Sequence, residues 1–328
     1  MTAHEGGSRH DGGLADGREI LTRAAPPPDA VLRYGSGPDQ VADLWLPPDG
    51  QHTREDRASG ERAEEGRSDG GRARGGLGHG ARAGSLGEVN PAAPIVVFLH
   101  GGFWRTAFDR SHAGPLAAAL AAAGFVVCVP EYRRASQHAS GWPGTFDDVA
   151  AAVDTLPAMV SAAAGPGRAD RSRVVLAGHS AGGHLALWAA GRHRLPPGAP
   201  WRTVVAPPLR AVVGLAAVSN LITCHDQRVG GDAVLALLGG PPDAFRGRYA
   251  TADPARLLPF GVPVWLVHGA ADDVVPPQMS RAFAARARAA GDSVILRELP
   301  DCGHFGVIDP LSPAWPQVLG AFAAAAPL

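Results

Sequence analysis

The run Val174-Val175-Leu176-Ala177-Gly178-His179-Ser180-Ala181-Gly182-Gly183-His184-Leu185-Ala186-Leu187-Trp188 restricts the fold more than any other part of the chain. A β-branched apolar stretch enters it, an Ala/Leu-rich helix-forming stretch leaves it, and Gly-x-Ser-x-Gly lies between. That order predicts a buried strand, a sharp turn and a helix, with Ser180 at the tip of the turn. Glycine is needed on either side because the strand and helix backbones pass too closely to leave room for Cβ atoms. In a chain with 43 glycines the bare pentapeptide is a weak signal, so the flanking strand and helix carry the reading.

Around this stretch apolar runs alternate with helical ones. Segments 95–99, 125–129, 174–177, 211–218 and 262–267 are apolar runs of the kind buried on both faces of a sheet, and 293–299 is a further, more mixed strand. Helices are predicted at 116–123, 145–159, from 181 onward, at 279–290 and at 315–326. The second of these has Thr145 as its cap and Asp147 and Asp148 in its first turn, where acids complement the helix dipole. Two shorter runs, 31–34 and 41–46, flank Gly35-Ser36-Gly37-Pro38-Asp39 and predict an antiparallel pair at a sheet edge. The whole pattern predicts an α/β fold, a doubly wound and mostly parallel sheet with helices on both faces. Residues 1–28, polar and ending in Pro26-Pro27-Pro28, read as a disordered tail. Residues 29–328 read as one domain. A mixed-charge stretch at 49–91 reads as a disordered insertion in it, and the less regular stretch 219–259 as a small partial cap.

Composition narrows the function classes. A formal net charge of −1 provides no global field to recruit nucleic acid or an anionic membrane. Cys128, Cys224 and Cys302 are odd in number and far apart, which argues against a disulfide framework and a zinc site. No metal and no cofactor are expected. Without an apolar leader or an apolar run long enough to span a bilayer, the expectation is a cytoplasmic protein whose partners are a small molecule and water.

Four loops that follow buried strands carry candidate chemistry. They hold His100-Gly101-Gly102-Phe103-Trp104, then Ser180, then Asp272, then His304. A serine hydroxyl is a poor nucleophile at neutral pH unless a base takes its proton, and that base needs a third group to fix its tautomer. Ser180, His304 and Asp272 are assigned those roles. Negative charge developing on an attacked carbonyl oxygen needs preorganised N–H donors, for which Ala181, Gly102 and Phe103 are the candidates. Trp104 and Trp142 are candidate walls of a substrate pocket. His100 and His268, each before a glycine at a strand end, read as hydrogen-bonding within their loops. His179 and His184 read as shaping the turn, and Cys302 has no strand-to-helix elbow around it that would make it a nucleophile.

From Gln40 to its C-terminus the chain resembles the α/β-hydrolase superfamily. His-Gly-Gly-Phe-Trp at 100–104, together with Gly-His-Ser-Ala-Gly-Gly-His-Leu at 178–185, is similar to the esterase and arylformamidase (kynurenine formamidase-like) branch. His268-Gly269-Ala270-Ala271-Asp272-Asp273-Val274-Val275-Pro276 resembles the H-G-x-x-D-x-x-V-P segment that carries the acid, and its register selects Asp272 over Asp273. Asp301-Cys302-Gly303-His304-Phe305 resembles the G-H-F segment that carries the base. The order Ser, Asp, His along the chain is that of the superfamily. The resemblance implies a serine hydrolase that forms an acyl-enzyme on small carboxylic esters or aryl-formamides. A peptidase of the same fold and a non-catalytic binding or scaffold protein are the alternatives.

Overall fold

The computed structural model describes residues 17–48, 91–136 and 139–328. Strands β1 (Ala30–Arg33), β2 (Val41–Trp45), β3 (Ala93–Leu99), β4 (Val126–Pro130), β5 (Ala169–His179), β6 (Ala211–Leu215), β7 (Val264–Gly269) and β8 (Val294–Leu299) form one sheet. Its order is β1-β2-β4-β3-β5-β6-β7-β8. The pairs β1/β2 and β2/β4 are antiparallel, and every later pair is parallel. Helices α1 (Gly114–Ala122), α2 (Gly144–Ala164), α3 (Ala181–Ala190), α4 (Leu221–Asp226), α5 (Ala233–Leu238), α6 (Arg246–Ala252), α7 (Pro277–Ala289) and α8 (Trp315–Ala325) complete the described chain.

Side-chain alternation explains why the inner stretches 95–99, 126–129, 174–177, 211–215 and 264–267 are apolar at every position. Ile95, Val97, Leu99, Val174, Leu176, Val212 and Val264 point into one core, packed with residues of α2, α3 and α7. Val96, Phe98, Val175, Ala177, Val213 and Val267 point into the other, packed with α1 and α8. With helices on both faces, neither set of alternate positions can be polar. The parallel strands also end in step. Leu99 pairs with Gly178, His179 with Leu215, and Gly269 with Leu299, so the loops after β3, β5, β6, β7 and β8 emerge along one rim. That rim is where an open α/β sheet places its site.

Three local expectations need correction. Residues 17–28, expected to be disordered, are ordered. Ile20 is 0% exposed in the core beneath α1 and α8, Arg23 forms an ion pair with Asp309, and Trp45 Nε1 donates to the Pro26 carbonyl at 3.2 Å. One buried isoleucine and one ion pair order a segment whose average composition is polar. Thr145 does not cap α2. It lies inside the first turn, and its hydroxyl donates to the Arg133 carbonyl at 2.6 Å. Asp148 faces the protein rather than solvent and accepts from Arg133 Nε, Arg133 Nη2 and Gln40 Nε2. The start of α2 is thus fastened to the loop after β4 through side chains. The remaining tail residues 1–16 and the predicted insertion, apart from Pro91, lie outside the described residues. No helix among the described residues is long and apolar enough to cross a membrane.

The segment 219–259 folds as α4, α5, α6 and a short 3-10 turn, Pro254–Arg256. Asp253 joins these pieces by accepting from the backbone N–H groups of Ala255 and Leu221. Burial pushes its carboxyl up to about 6, outweighing those hydrogen bonds and the attraction of Arg256 and Arg286.

Two measurements test this packing. Replacing Ile20 by Ala is expected to lower unfolding stability by about 2–4 kcal/mol through a cavity that α1 and α8 cannot close; a loss under 0.5 kcal/mol (about the scatter of surface substitutions) in urea titration would show that the N-terminal segment is not part of the core. Asp253 has its folded-state value raised, so its contribution is fully present below the unfolded carboxyl range and is lost as pH rises through about 6. Asp253→Asn keeps the acceptor without the charge. The variant is expected to exceed wild type by roughly 2–3 kcal/mol at pH 8, with the difference vanishing near pH 4. A difference that is constant with pH would contradict the titration.

Candidate active site

Ser180 is the residue at which β5 turns into α3. Its φ of 54° and ψ of −116° are a strained conformation for a residue with a side chain. The backbone on either side holds it there: Ser180 N–H donates to Leu215 O at 2.9 Å, and Ser180 O accepts from Val218 at 3.1 Å and from His184 at 3.1 Å. Close approach supplies the rest. A Cβ on Gly182 would lie 2.0 Å from Leu99 O and 2.4 Å from His100 O, so the first turn of α3 rests directly on the end of β3.

The same contact sets the 100–104 loop beside the serine, where a Cβ on Gly101 would fall 3.4 Å from Ser180 Cβ. Gly102, Phe103 and Trp104 all have positive φ, at 111°, 52° and 56°. Among the described residues no hydrogen bond consumes the backbone N–H of Gly102, Phe103 or Ala181. The loop is anchored at its start. His100 Nε2 lies 2.9 Å from Glu131 Oε1 and His100 Nδ1 lies 2.8 Å from Gly101 O, while the Tyr132 hydroxyl donates to His100 O at 2.7 Å. Burial alone would raise the Glu131 carboxyl; the hydrogen bond and charge of His100, with Arg134 and the Arg110 N–H, bring it below its ordinary range.

His304 and Asp272 meet across the loops after β8 and β7, with His304 Nδ1 2.7 Å from Asp272 Oδ2. The other oxygen, Oδ1, accepts from the N–H groups of Val274 at 2.9 Å and Val275 at 2.8 Å. Burial would raise the Asp272 carboxyl, yet hydrogen bonds from His268 and His304 outweigh it and hold the group far below the usual carboxylate range. His179 ties His304 to the Ser180 turn. Its Nε2 lies 3.0 Å from His304 O and its ring packs against that of His304 with centroids 4.6 Å apart. Burial, reinforced by His304, keeps His179 neutral, well below its ordinary range, so it donates through Nε2. Ser180 and His304 are only 2% and 3% exposed. Among the described residues no hydrogen bond joins Ser180 Oγ to His304, a contact that in many unliganded hydrolytic sites tightens only with substrate.

The structure therefore brings together Ser180, His179, Gly101 and His304, with Asp272 bonded to His304. It does not do the same for the two tryptophans. Trp104 is 0% exposed, packed edge-on against His184 at 5.1 Å, and has no surface to offer a ligand. Trp142 belongs to an aromatic cluster with Trp201 and Phe146, at 4.9 Å and 5.3 Å, with the Arg248 guanidinium over its face. Phe103 is the ring that meets the segment over the rim: a Cβ on Gly230 would lie 2.4 Å from it, and Arg105 donates to Gly230 O at 3.0 Å and pairs with Asp232. Cys302 is buried, which pushes its thiol up to about 11 and leaves it no nucleophile. Sequence reasoning gave His268 only a loop role, but its Nε2 lies 3.1 Å from Asp272 Oδ2. The signal was its place four residues before the acid, at the end of the same strand.

Comparison with known proteins agrees with the fold. The BD-FAE family profile matches residues 87–286. The chain is 28% identical over 311 residues to the probable carboxylic ester hydrolase LipM of Mycobacterium tuberculosis, covering 87% of this chain and 69% of that protein. It is 30% identical over 237 residues to Esterase LipC of the same organism, covering 66% of this chain and 54% of that one. The chain thus spans about half the length of LipC. Esterase B from Lactobacillus rhamnosis superposes with a TM-score of 0.65 at 18% identity, over 94% of this chain and 90% of that one. A truncated carbohydrate esterase from gut microbiota gives 0.66 at 17% identity, over 92% and 99%.

The close approach at the elbow is testable by a pair of substitutions. Gly182→Ala must displace the Leu99 carbonyl and is expected to cost about 1–3 kcal/mol or more, whereas Gly247→Ala, in α6 with open space around it, is expected to be neutral or stabilising by about 0.5–1 kcal/mol. Equal thermal shifts in the two variants would remove the steric argument.

Proposed function

The chain belongs to the BD-FAE family of α/β-hydrolase esterases, and from that premise we propose that it is a serine carboxylesterase in which Ser180, His304 and Asp272 form the catalytic triad. The observation that carries the reading is the 2.7 Å His304–Asp272 hydrogen bond held against the strained Ser180 turn. Ser180 Oγ attacks the ester carbonyl carbon while His304 Nε2 takes its proton, and Asp272 stabilises the imidazolium that results. The carbonyl oxygen becomes an oxyanion that accepts from the N–H groups of Ala181, Gly102 and Phe103. Collapse breaks the carbon–oxygen bond to the alcohol, which leaves with the proton from His304. Water then attacks the acyl-enzyme with His304 again as base, releasing the acid and restoring Ser180.

Esters are the substrate class because the relatives LipM and LipC are ester hydrolases by name. The acyl group is small, because the serine is nearly closed off at 2% exposure. That closure also favours a formyl group, the smallest acyl, so aryl-formamides form the second class to be assayed.

p-Nitrophenyl acetate, butyrate and octanoate are compared with N-formylkynurenine, using Ser180→Ala as the blank. Turnover of acetate should exceed that of octanoate, and Ser180→Ala should abolish it by roughly 10⁵-fold or more. Asp272→Asn, which leaves the base in the wrong tautomer, should lose about 10⁴-fold in kcat. Ester turnover that survives in Ser180→Ala would sink the assignment. Formamide turnover well above ester turnover would move the substrate class, and absence of any Ser180-dependent turnover would leave a binding role.

A further inference from the structure

The Asp272 carboxylate serves two histidines. Its Oδ2 atom lies 2.7 Å from His304 Nδ1 and 3.1 Å from His268 Nε2. His268 is fully buried, and its other nitrogen, Nδ1, lies 2.7 Å from Ser280 Oγ on α7. We propose that His268 and Ser280 are positioning residues of the hydrolytic site, completing a buried hydrogen-bond chain Ser280, His268, Asp272, His304 that holds the acid in the orientation the base requires. The proposal rests on the triad reading above and extends it by two residues that touch neither the substrate nor the reacting atoms.

The direction of each hydrogen bond follows from its partners. His268 Nε2 faces two acceptors, Val275 O at 2.9 Å and Asp272 Oδ2 at 3.1 Å. It therefore carries a proton; the opposite tautomer would set a lone pair against a carbonyl and a carboxylate. In the neutral ring, Nδ1 is then an acceptor, and Ser280 is the group that can donate to it. Removing the Ser280 hydroxyl leaves that buried lone pair unsatisfied, a penalty that tautomer exchange or ring rotation relieves. Either response takes the donor away from Asp272. Apart from His304 itself, the carboxylate is otherwise held only at Oδ1 among the described residues, by Val274 and Val275. His268 supplies the second grip.

An electrostatic consequence separates this role from mere packing. The His268 donor draws part of the Asp272 charge away from His304. Without it, Asp272 attracts the His304 proton more strongly, so the base stays protonated to higher pH and the acidic limb of the rate profile moves upward. The other ionisable groups around the chain are Glu298, opposite His268 in the β7/β8 register and paired with Arg281 of α7, His179 against the His304 ring, and the buried Cys302 thiol. Asp273 lies beside Asp272 on the same loop and is exposed. All of these stay in place in the variants below.

The test compares wild type, Ser280→Ala, Ser280→Thr and His268→Gln, with Ser180→Ala as the blank, on p-nitrophenyl acetate from pH 5 to 9. In Ser280→Ala, kcat is expected to fall about 10-fold, and in His268→Gln by about 10–100-fold, the range seen when supporting hydrogen-bond partners are removed from a site. KM should stay within about twofold, since no substrate contact is touched, the acidic limb should shift upward, and Ser280→Thr should restore both. Loss of kcat with an unmoved acidic limb, or a threonine variant that fails to rescue, would overturn the proposal in favour of simple destabilisation. A second readout does not depend on turnover: long-range proton–nitrogen NMR of the imidazoles should show His268 protonated at Nε2 in wild type and altered in Ser280→Ala. Protonation at Nδ1 in wild type would overturn the chain even if the enzyme hydrolyses esters. Absence of Ser180-dependent turnover alongside the expected tautomer would instead remove the triad reading and, with it, the catalytic role given to these two residues.

Discussion

Close backbone approach along the C-terminal rim of the sheet governs the rest of this structure. Gly182 lets α3 settle onto the end of β3, where a Cβ would come within 2.0 Å of Leu99 O, and Gly269 lets the loop after β7 settle onto the loop after β8, where a Cβ would come within 2.1 Å of Cys302 O. The first contact fixes Ser180 against the 100–104 loop, and the second fixes Asp272 against His304. A methyl group at Gly182 would push Ser180 away from the 100–104 loop, and one at Gly269 would force apart the backbones that hold Asp272 and His304 at hydrogen-bond distance. Geometry good to a fraction of an ångström then rests on the absence of two Cβ atoms and on the strand pairing behind them.

Two buried carboxylates do the electrostatic work on either side of Ser180. Glu131 anchors the 100–104 loop, and Asp272 anchors His304. An ionised carboxylate in an apolar setting is costly unless donors surround it, and both have them: His100, Arg134 and the N–H groups of Arg110 and Tyr132 for Glu131, and two histidines with two N–H groups for Asp272. Each carboxylate therefore fixes its neighbours as firmly as they fix it. Preorganisation of this kind spares the site from reorienting dipoles when charge develops.

The sheet, its helices and the three loops bearing Ser180, Asp272 and His304 were legible because each leaves a local pattern, an apolar run followed by glycine and a polar residue. What was not legible depended on partners distant in sequence. Ile20 sits in a polar stretch and is ordered by a core assembled from residues near positions 113–121 and 307–326. Thr145 looks like a cap by local rules, but it lies inside the first turn and its hydroxyl donates to the Arg133 carbonyl instead of accepting from the helix. Trp104 follows the glycines that line the site, yet its positive φ turns the ring inward onto His184. The role of His268 depends on Ser280, 12 residues later on α7, and no local pattern joins them.

Backbone strain follows the same rim. Six non-glycine residues with positive φ occur among the described residues: Phe103, Trp104, Ser180, Ala216, Arg228 and Asp301. Five of them lie in the loops that follow β3, β5, β6 or β8. Such conformations persist only where neighbours over-determine them. Here adjacent backbone does so: Ser180 N–H bonds to Leu215 O, Ala216 N–H to Val267 O, and Trp104 O accepts from Ala135 at 2.7 Å. In each case the partner lies in a different strand of the sheet or in the loop that follows one. The two apolar faces keep those strands together, so the same burial that makes the strands apolar also holds the unfavourable turns at their ends. Local preference yields to global packing at two positions where chemistry is proposed, Phe103 and Ser180, and at neighbours along the same rim.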